Sequence, residues 1–327
     1  MLKSAINVGG IVLKNRLVLP PMATHNSPDG RITEKICEHY RARAAAGLII
    51  AEHCCISQQG RASGDQISVA NDSFLPGLCR LAEAVHQEGG KIFVQVSHAG
   101  SQTDPAVTGM ETVSASAVPH PRAKDKAVPR ALSNEDIISL EHAFALAAQR
   151  VKDAGFDGVE IHSAHGYLLN QFFSPLTNKR TDAYGADCME NRLRFLLETI
   201  AEVKKLVGLQ FPVAVRLGGC DYMDGGSTIE DAVAASRLLE KAGVCMLDLS
   251  GGMCFYNRPG HTEPGWFSDM SAAVKKAVSL PVMTTGGVRT AAEAEALLAS
   301  GAGDLIGIGR AALAKADWFK KALEKKA

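Results

Sequence analysis

Short, nearly unbroken apolar runs recur along the chain, each bounded by turn residues and followed by a stretch of helical periodicity. The runs are Arg16–Pro20, Leu48–Glu52, Lys91–Val96, Gly158–His162, Pro212–Leu217, Cys245–Ser250, Pro281–Thr285 and Asp304–Ile308. Runs of this length suit parallel strands covered on both faces. The helical stretches open on start signals. Ser133-Asn-Glu-Asp136 and Thr290-Ala-Ala-Glu293 read as capping boxes, and Thr228-Ile-Glu-Asp231 as a weaker one. Ala46-Gly47, Ala154-Gly155 and Ala242-Gly243 close helices, because glycine tolerates the left-handed turn past a helix end. Eight strands alternating with helices predict an α/β fold, a closed (β/α)8 TIM barrel, as one domain over residues 1–327. A doubly wound open sheet is the alternative, but no Gly-x-Gly-x-x-Gly turn follows the first run. The longest irregular stretch, 101–132, follows the third strand and is expected on the catalytic face. A second long stretch, Ser174–Asn191, follows the fourth.

Composition narrows the class. Hydrophobic residues make up 46% of the 327 and charged residues 21%, which fits a globular protein with a large core. The 35 basic and 35 acidic residues cancel, and no basic stripe with interleaved aromatics points to nucleic acid. No run is long enough to span a bilayer, and the first residues lack the apolar core of a signal peptide. A cytoplasmic location without membrane association is therefore expected. The eight cysteines are scattered with no Cys-x-x-Cys pair, so neither a disulfide framework nor a zinc or iron–sulfur site is expected.

In a barrel of this kind the C-terminal strand ends face the active site. Those ends carry Pro21-Met22-Ala23-Thr24, His53, Gln95 and His98, His162 and His165, Arg216, Ser250-Gly251-Gly252, Gly286-Gly287 and Gly309-Arg310. The strand interiors read as apolar. The last two groups form a candidate phosphate site. Glycines let backbone N–H groups approach an anion, the eighth strand opens a helix, and Arg310 can bind two oxygens. In His162-Ser-Ala-His165-Gly-Tyr167, two histidines three apart can both donate N–H to one small acceptor, such as a carbonyl or nitro oxygen. The same spacing can ligate zinc, although no third ligand is near in sequence. Of Glu160 and His162, one is expected to face the barrel core and the other the site or the helix layer.

These residues resemble the old yellow enzyme family of NADH:flavin oxidoreductases. The run Asp153 to Gly185, continuing to Glu190-Asn-Arg192, carries most of the resemblance. Asn15-Arg-Leu-Val-Leu-Pro-Pro-Met22, Gln95-Val-Ser-His-Ala-Gly100, Pro129-Arg-Ala-Leu-Ser133, Arg216, Thr285-Gly-Gly-Val288 and Gly307-Ile-Gly-Arg310 complete it. It is most similar to the compact ene-reductases and the barrel domain of 2,4-dienoyl-CoA reductase. The resemblance implies noncovalent FMN, with NADH or NADPH as reductant. Pro21, Met22 and Ala23 would lie along the flavin edge with Thr24 close by. Gln95 would bond the pyrimidine side, and Arg216 would sit near N1 and O2. Gly286, Gly287, Gly309 and Arg310 would hold the phosphate. His53 falls where the family usually places a small residue that touches flavin through its backbone. His162 and His165 match the pair that holds the substrate oxygen, and Tyr167 the proposed proton donor. The implied reaction is reduction of the C=C bond of an α,β-unsaturated carbonyl.

The chain departs from the family at several positions. Ala23 replaces a Thr or Cys that tunes the flavin, Ser101 an Arg, and Ala186 a Gly. The cysteine cluster and second nucleotide domain of the dienoyl-CoA reductases do not occur before Ala327. The expectation is then no iron–sulfur cluster and direct electron transfer from nicotinamide to FMN. The C-terminal segment lacks the arginine that some compact members lend to a neighbouring subunit, and a homo-oligomer is left open. Two further readings remain. The 101–132 loop, with Pro119-His-Pro-Arg122 and Lys124-Asp-Lys126, would bind an acyl-CoA or steroid-like enone, or is an ordinary solvated loop. A flavin- or phosphate-binding barrel without turnover is the non-enzymatic reading.

Overall fold

The computed structural model describes residues 1–122 and 127–324, so Lys124-Asp-Lys126 and the last three residues lie outside the described residues. Eight parallel strands close a barrel in chain order. They are Leu17–Leu19, Leu48–Cys55, Ile92–Ser97, Gly158–Ser163, Val213–Cys220, Leu247–Gly251, Val282–Thr284 and Leu305–Gly307. Each falls on one of the expected runs. The second and fifth continue three residues past the run's end and the third, fourth and sixth one residue, and the second is broken by a register shift between Ala51 and Cys54. All three expected capping boxes form, each with the cap side chain and the third helical residue bonding reciprocally. Among the described residues no helix is long and apolar enough to cross a membrane.

The barrel interior follows the two-residue period of its strands. An antiparallel hairpin, Ile6–Val8 with Ile11–Leu13, closes the end where the strands begin. Its Val8 and Leu13 pack with Phe93, Ala214, Met246 and Met283 in one apolar layer. Two residues further along the third, fifth and sixth strands stand Gln95, Arg216 and Asp248; Gln95 is in register with Glu160 on the fourth, and Arg216 with Asp248. The expectation of apolar strand interiors is thus corrected at this level, where the barrel holds a buried polar layer. Of Glu160 and His162, Glu160 faces the barrel core and His162 the cleft, one of the arrangements expected. Residues two apart on a strand share a face, and both point inward. Helices and the outer strand faces form the larger core around the barrel.

The 101–132 stretch is less irregular than the sequence suggests. It contains a short helix, Pro105–Thr108, and a two-strand parallel pair of Val113–Ser114 with Arg130–Ala131.

One helix contact makes stability depend on pH. Glu141, on helix Asn134–Asp153, is buried. Burial, and then the neighbouring Glu198 carboxylate, pushes its carboxyl from the ordinary 4.5 up to about 8. A group with a raised folded pKa contributes its full stability below the unfolded value and loses it as pH rises through the folded one. Stability is therefore expected to fall between those two values. Glu141→Gln should flatten that fall, raising the melting temperature near pH 9 and leaving it nearly unchanged near pH 4. Melting curves at the two pH values check this.

Candidate active site

A cleft of about 620 Å³ opens at the C-terminal end of the barrel, within the size range of small-molecule sites. Its floor is the polar layer. Gln95 donates from Nε2 to Glu160 Oε1 at 2.8 Å, and Arg216 Nε lies 2.9 Å from Asp248 Oδ2. Both carboxylates are fully buried. Burial drives Asp248 up to about 6 against the pull of Arg216. Glu160 is pushed well above the ordinary carboxylate range, first by burial and then by the Asp248 charge. One guanidinium thus faces two carboxyls beneath the cleft.

The histidine motif sits at one wall. After the fourth strand the backbone turns sharply, with His165 at φ 58° and Gly166 at 67°. A non-glycine residue in the left-handed region is uncommon, and such strain concentrates at functional sites. His165 N–H donates to Gly251 O and Tyr167 N–H to Ala164 O, which fixes the turn. His162, His165 and Tyr167 come together, with ring centroids 5.1 Å apart for the histidines and 4.8 Å for His162 and Tyr167. The Ala164 N–H donates to His162 Nδ1 at 3.2 Å, so a neutral His162 carries its hydrogen on Nε2. His165 Nε2 pairs with Ser250 Oγ at 2.8 Å. When that hydroxyl donates, the His165 hydrogen stands on Nδ1. Burial lowers both imidazoles well below 6.5, with His165 and Arg216 adding to the effect on His162, and Arg216 and His53 on His165. Burial pushes the Tyr167 hydroxyl up to about 12. Among the described residues no group of three or more metal-ligating side chains could hold an ion, so the metal reading gains no third ligand.

The other wall is formed by Pro21, Met22 and Ala23 together with Gly286, Gly287, Gly309 and Arg310. Thr24 does not line the cleft. Its N–H and hydroxyl both donate to the buried Glu52, at 2.8 and 2.7 Å, and so anchor the loop behind the wall. His98 is buried away from the cleft, where its Nδ1 accepts from Gly100 N–H. The glycine pair has φ 113° and 65°. A Cβ on Gly286 would come within 2.7 Å of the Trp266 ring, and one on Gly287 within 2.5 Å. Sequence reasoning missed Trp266, which no motif marks. The Arg310 guanidinium lies over this indole, 5.0 Å from its centroid. Among the described residues it has no ion pair and no hydrogen bond. The helix it opens, Arg310–Ala314, is barely one turn, so anion binding here rests on the guanidinium and the glycine backbone rather than on a helix dipole.

The chain matches the NADH:flavin oxidoreductase / NADH oxidase family over residues 2–327. It belongs to that family. It is 40% identical over 326 residues to a protein named NADH oxidase from Thermoanaerobacter brockii, covering 97% of this chain and 50% of the relative. To an NADPH dehydrogenase from Halalkalibacterium halodurans it is 35% identical over 323 residues, covering 98% and 93%. Among solved structures, 2-naphthoyl-CoA reductase with 2-naphthoyl-CoA superimposes with a TM-score of 0.93 at 27% identity, covering 99% of this chain and 52% of that one. An old yellow enzyme homologue from Zymomonas mobilis gives 0.86 at 29%, covering 100% and 93%. The chain therefore spans about half the length of some relatives and nearly all of others. The resemblance read from the motifs is correct.

The residues fit the FMN of this flavin oxidoreductase family. An unpaired guanidinium beside two glycines suits a phosphate. A fixed cation on the floor suits a ring system that gains negative charge on reduction.

Proposed function

We propose that the chain is an FMN-dependent NAD(P)H oxidoreductase that reduces the C=C bond of α,β-unsaturated carbonyl compounds. The observation that carries this reading is the pair of neutral histidines, 5.1 Å apart, beside a protonated tyrosine in the cleft. Pro21, Met22 and Ala23 would flank the flavin, Gln95 and Arg216 would hold its polar edge, and Gly286, Gly287, Gly309 and Arg310 its phosphate. A bound FMN supplies two-electron hydride exchange with NADH or NADPH and with the alkene.

The chain's own residues do the rest. His162 and His165 donate N–H to the substrate's carbonyl oxygen. Negative charge grows on that oxygen as the β-carbon is attacked, so these hydrogen bonds strengthen in the transition state. Being neutral, they donate without presenting a proton that could leave. The Tyr167 hydroxyl, protonated at physiological pH, supplies the proton to the α-carbon. The names of the two relatives, NADH oxidase and NADPH dehydrogenase, support nicotinamide as reductant.

Purified protein should be yellow. Anaerobic NADH or NADPH should bleach it, and 2-cyclohexenone should restore the colour. A colourless protein that cannot be reconstituted with FMN, or a reduced flavin that no enone reoxidises, overturns the reading. The structural match to 2-naphthoyl-CoA reductase favours a second reading with an acyl-CoA substrate. An aryl-CoA thioester in the same reoxidation assay tests it.

A further inference from the structure

His53 departs from its surroundings in three respects. It lies in the register shift of the second strand, between Ala51 and Cys54. An extra residue in a strand re-aims the side chains around it, and here His53 joins the cleft lining. Its ring stands edge-on to Tyr167, with centroids 5.6 Å apart, and lies 6.5 Å from His162.

Its tautomer is set by one neighbour. Gln66 is buried, and its Oε1 accepts from Ala62 N–H at 2.7 Å. That bond fixes the amide orientation, because a backbone N–H needs an acceptor. Gln66 Nε2 therefore faces His53 and donates to its Nδ1 at 2.6 Å and to its carbonyl oxygen at 3.1 Å. A neutral His53 then carries its hydrogen on Nε2. Among the described residues Nε2 has no hydrogen-bond partner. Burial, followed by the nearby His25 and Arg216 charges, lowers the imidazole to about 4, so it is neutral at physiological pH.

We propose that His53 is a specificity-determining residue whose Nε2–H binds a second oxygen acceptor on the substrate, across the C=C bond from the oxygen held by His162 and His165. This rests on the ene-reductase reading. The His53 ring neighbours Tyr167 and, more distantly, His162, and among the described residues it has no ring contact with His165, so it is not a third member of that close pair. A substrate with a single carbonyl displaces water and leaves the His53 donor unmatched, which costs binding. A substrate with oxygen acceptors at both ends of the alkene satisfies it. The favoured class is therefore the enediones and related doubly activated alkenes. Gln66 is the positioning residue that keeps the donor on Nε2.

The test compares cyclohex-2-ene-1,4-dione with 2-cyclohexenone, which differ by one carbonyl. Intrinsic reactivity differs between them, so the quantity read is the change in their kcat/KM ratio between holoenzymes, with FMN content measured for each. His53→Ala should lower the ratio for the dione by about fivefold to tenfold, the worth of one hydrogen bond, mainly through KM. His53→Gln, which keeps an N–H donor, should restore part of it. Gln66→Met should lower it with His53 still present. An unchanged ratio in His53→Ala, or a change confined to FMN content, overturns the proposal and makes His53 a flavin-facing residue. If the wild-type flavin is reoxidised by neither alkene, the ene-reductase reading fails and this inference fails with it. If it is reoxidised by both and the ratio does not move, only this inference fails.

Discussion

Arg216→Met is expected to cost about 3–5 kcal/mol of stability near neutral pH, the usual cost of breaking a buried ion pair, and to abolish FMN retention. Asp248 lies 2.9 Å from the guanidinium, and Glu160 is one strand away with its Oε2 unbonded. Both carboxyls are fully buried from bulk solvent. Methionine fills similar volume but removes the charge that, among the described residues, favours their ionised forms. Both carboxyls then rise further above their unfolded values. A group with a raised folded pKa loses its stabilising protonation as pH climbs. The deficit should therefore be largest above pH 7 and shrink towards pH 4, as both carboxyls become protonated in the unfolded chain as well. Urea unfolding at the two pH values reads this. Arg216→Lys keeps the charge but not the planar fork, and should recover most of the stability while still weakening FMN. A methionine variant with the wild-type midpoint at pH 7.5 would show that the polar layer is not organised around Arg216.

That polar layer also marks where the sequence stops being readable. Apolar runs identify strands through local burial, so all eight were visible, as were the capping boxes, whose bonds span only three residues. The His162-Ser-Ala-His165-Gly-Tyr167 segment was legible for the same reason, being one short turn. Which of Glu160 and His162 faces the core was left open, because a carboxylate inside a barrel is intelligible only once Gln95 and Arg216 are placed beside it. Trp266 and Gln66 were missed for a different reason. Each acts through a contact on another segment, Trp266 against Gly286 and Gln66 against His53. No spacing along the chain encodes either. Thr24 illustrates the converse. Its place in the sequence suggested the cleft, but Glu52, which is buried and needs donors, takes both its N–H and its hydroxyl.

The double substitution His162→Ala with His165→Ala is expected to lower kcat/KM for an enone by about 10³-fold or more, since removing a single oxyanion donor already costs 10²–10³. FMN should remain bound, because the phosphate end and the Arg216 floor are untouched. The two rings are held separately, His162 by Ala164 N–H and His165 by Ser250. Each single variant should therefore retain one correctly oriented donor and lose less than the pair. Both imidazoles lie well below 6.5 because of burial, so their donation should not titrate between pH 6 and 8. A wild-type pH profile that is flat across this range supports neutral donors. A profile that falls as either histidine deprotonates near pH 7 would mean that one acts as an imidazolium. Reduction by NADH or NADPH separates a binding fault from a chemical one. If the double variant is still bleached at the wild-type rate but is reoxidised slowly by 2-cyclohexenone, the pair acts on the alkene's oxygen. If it is purified without flavin, the pair is structural and the reading of this wall as the oxygen-binding site fails.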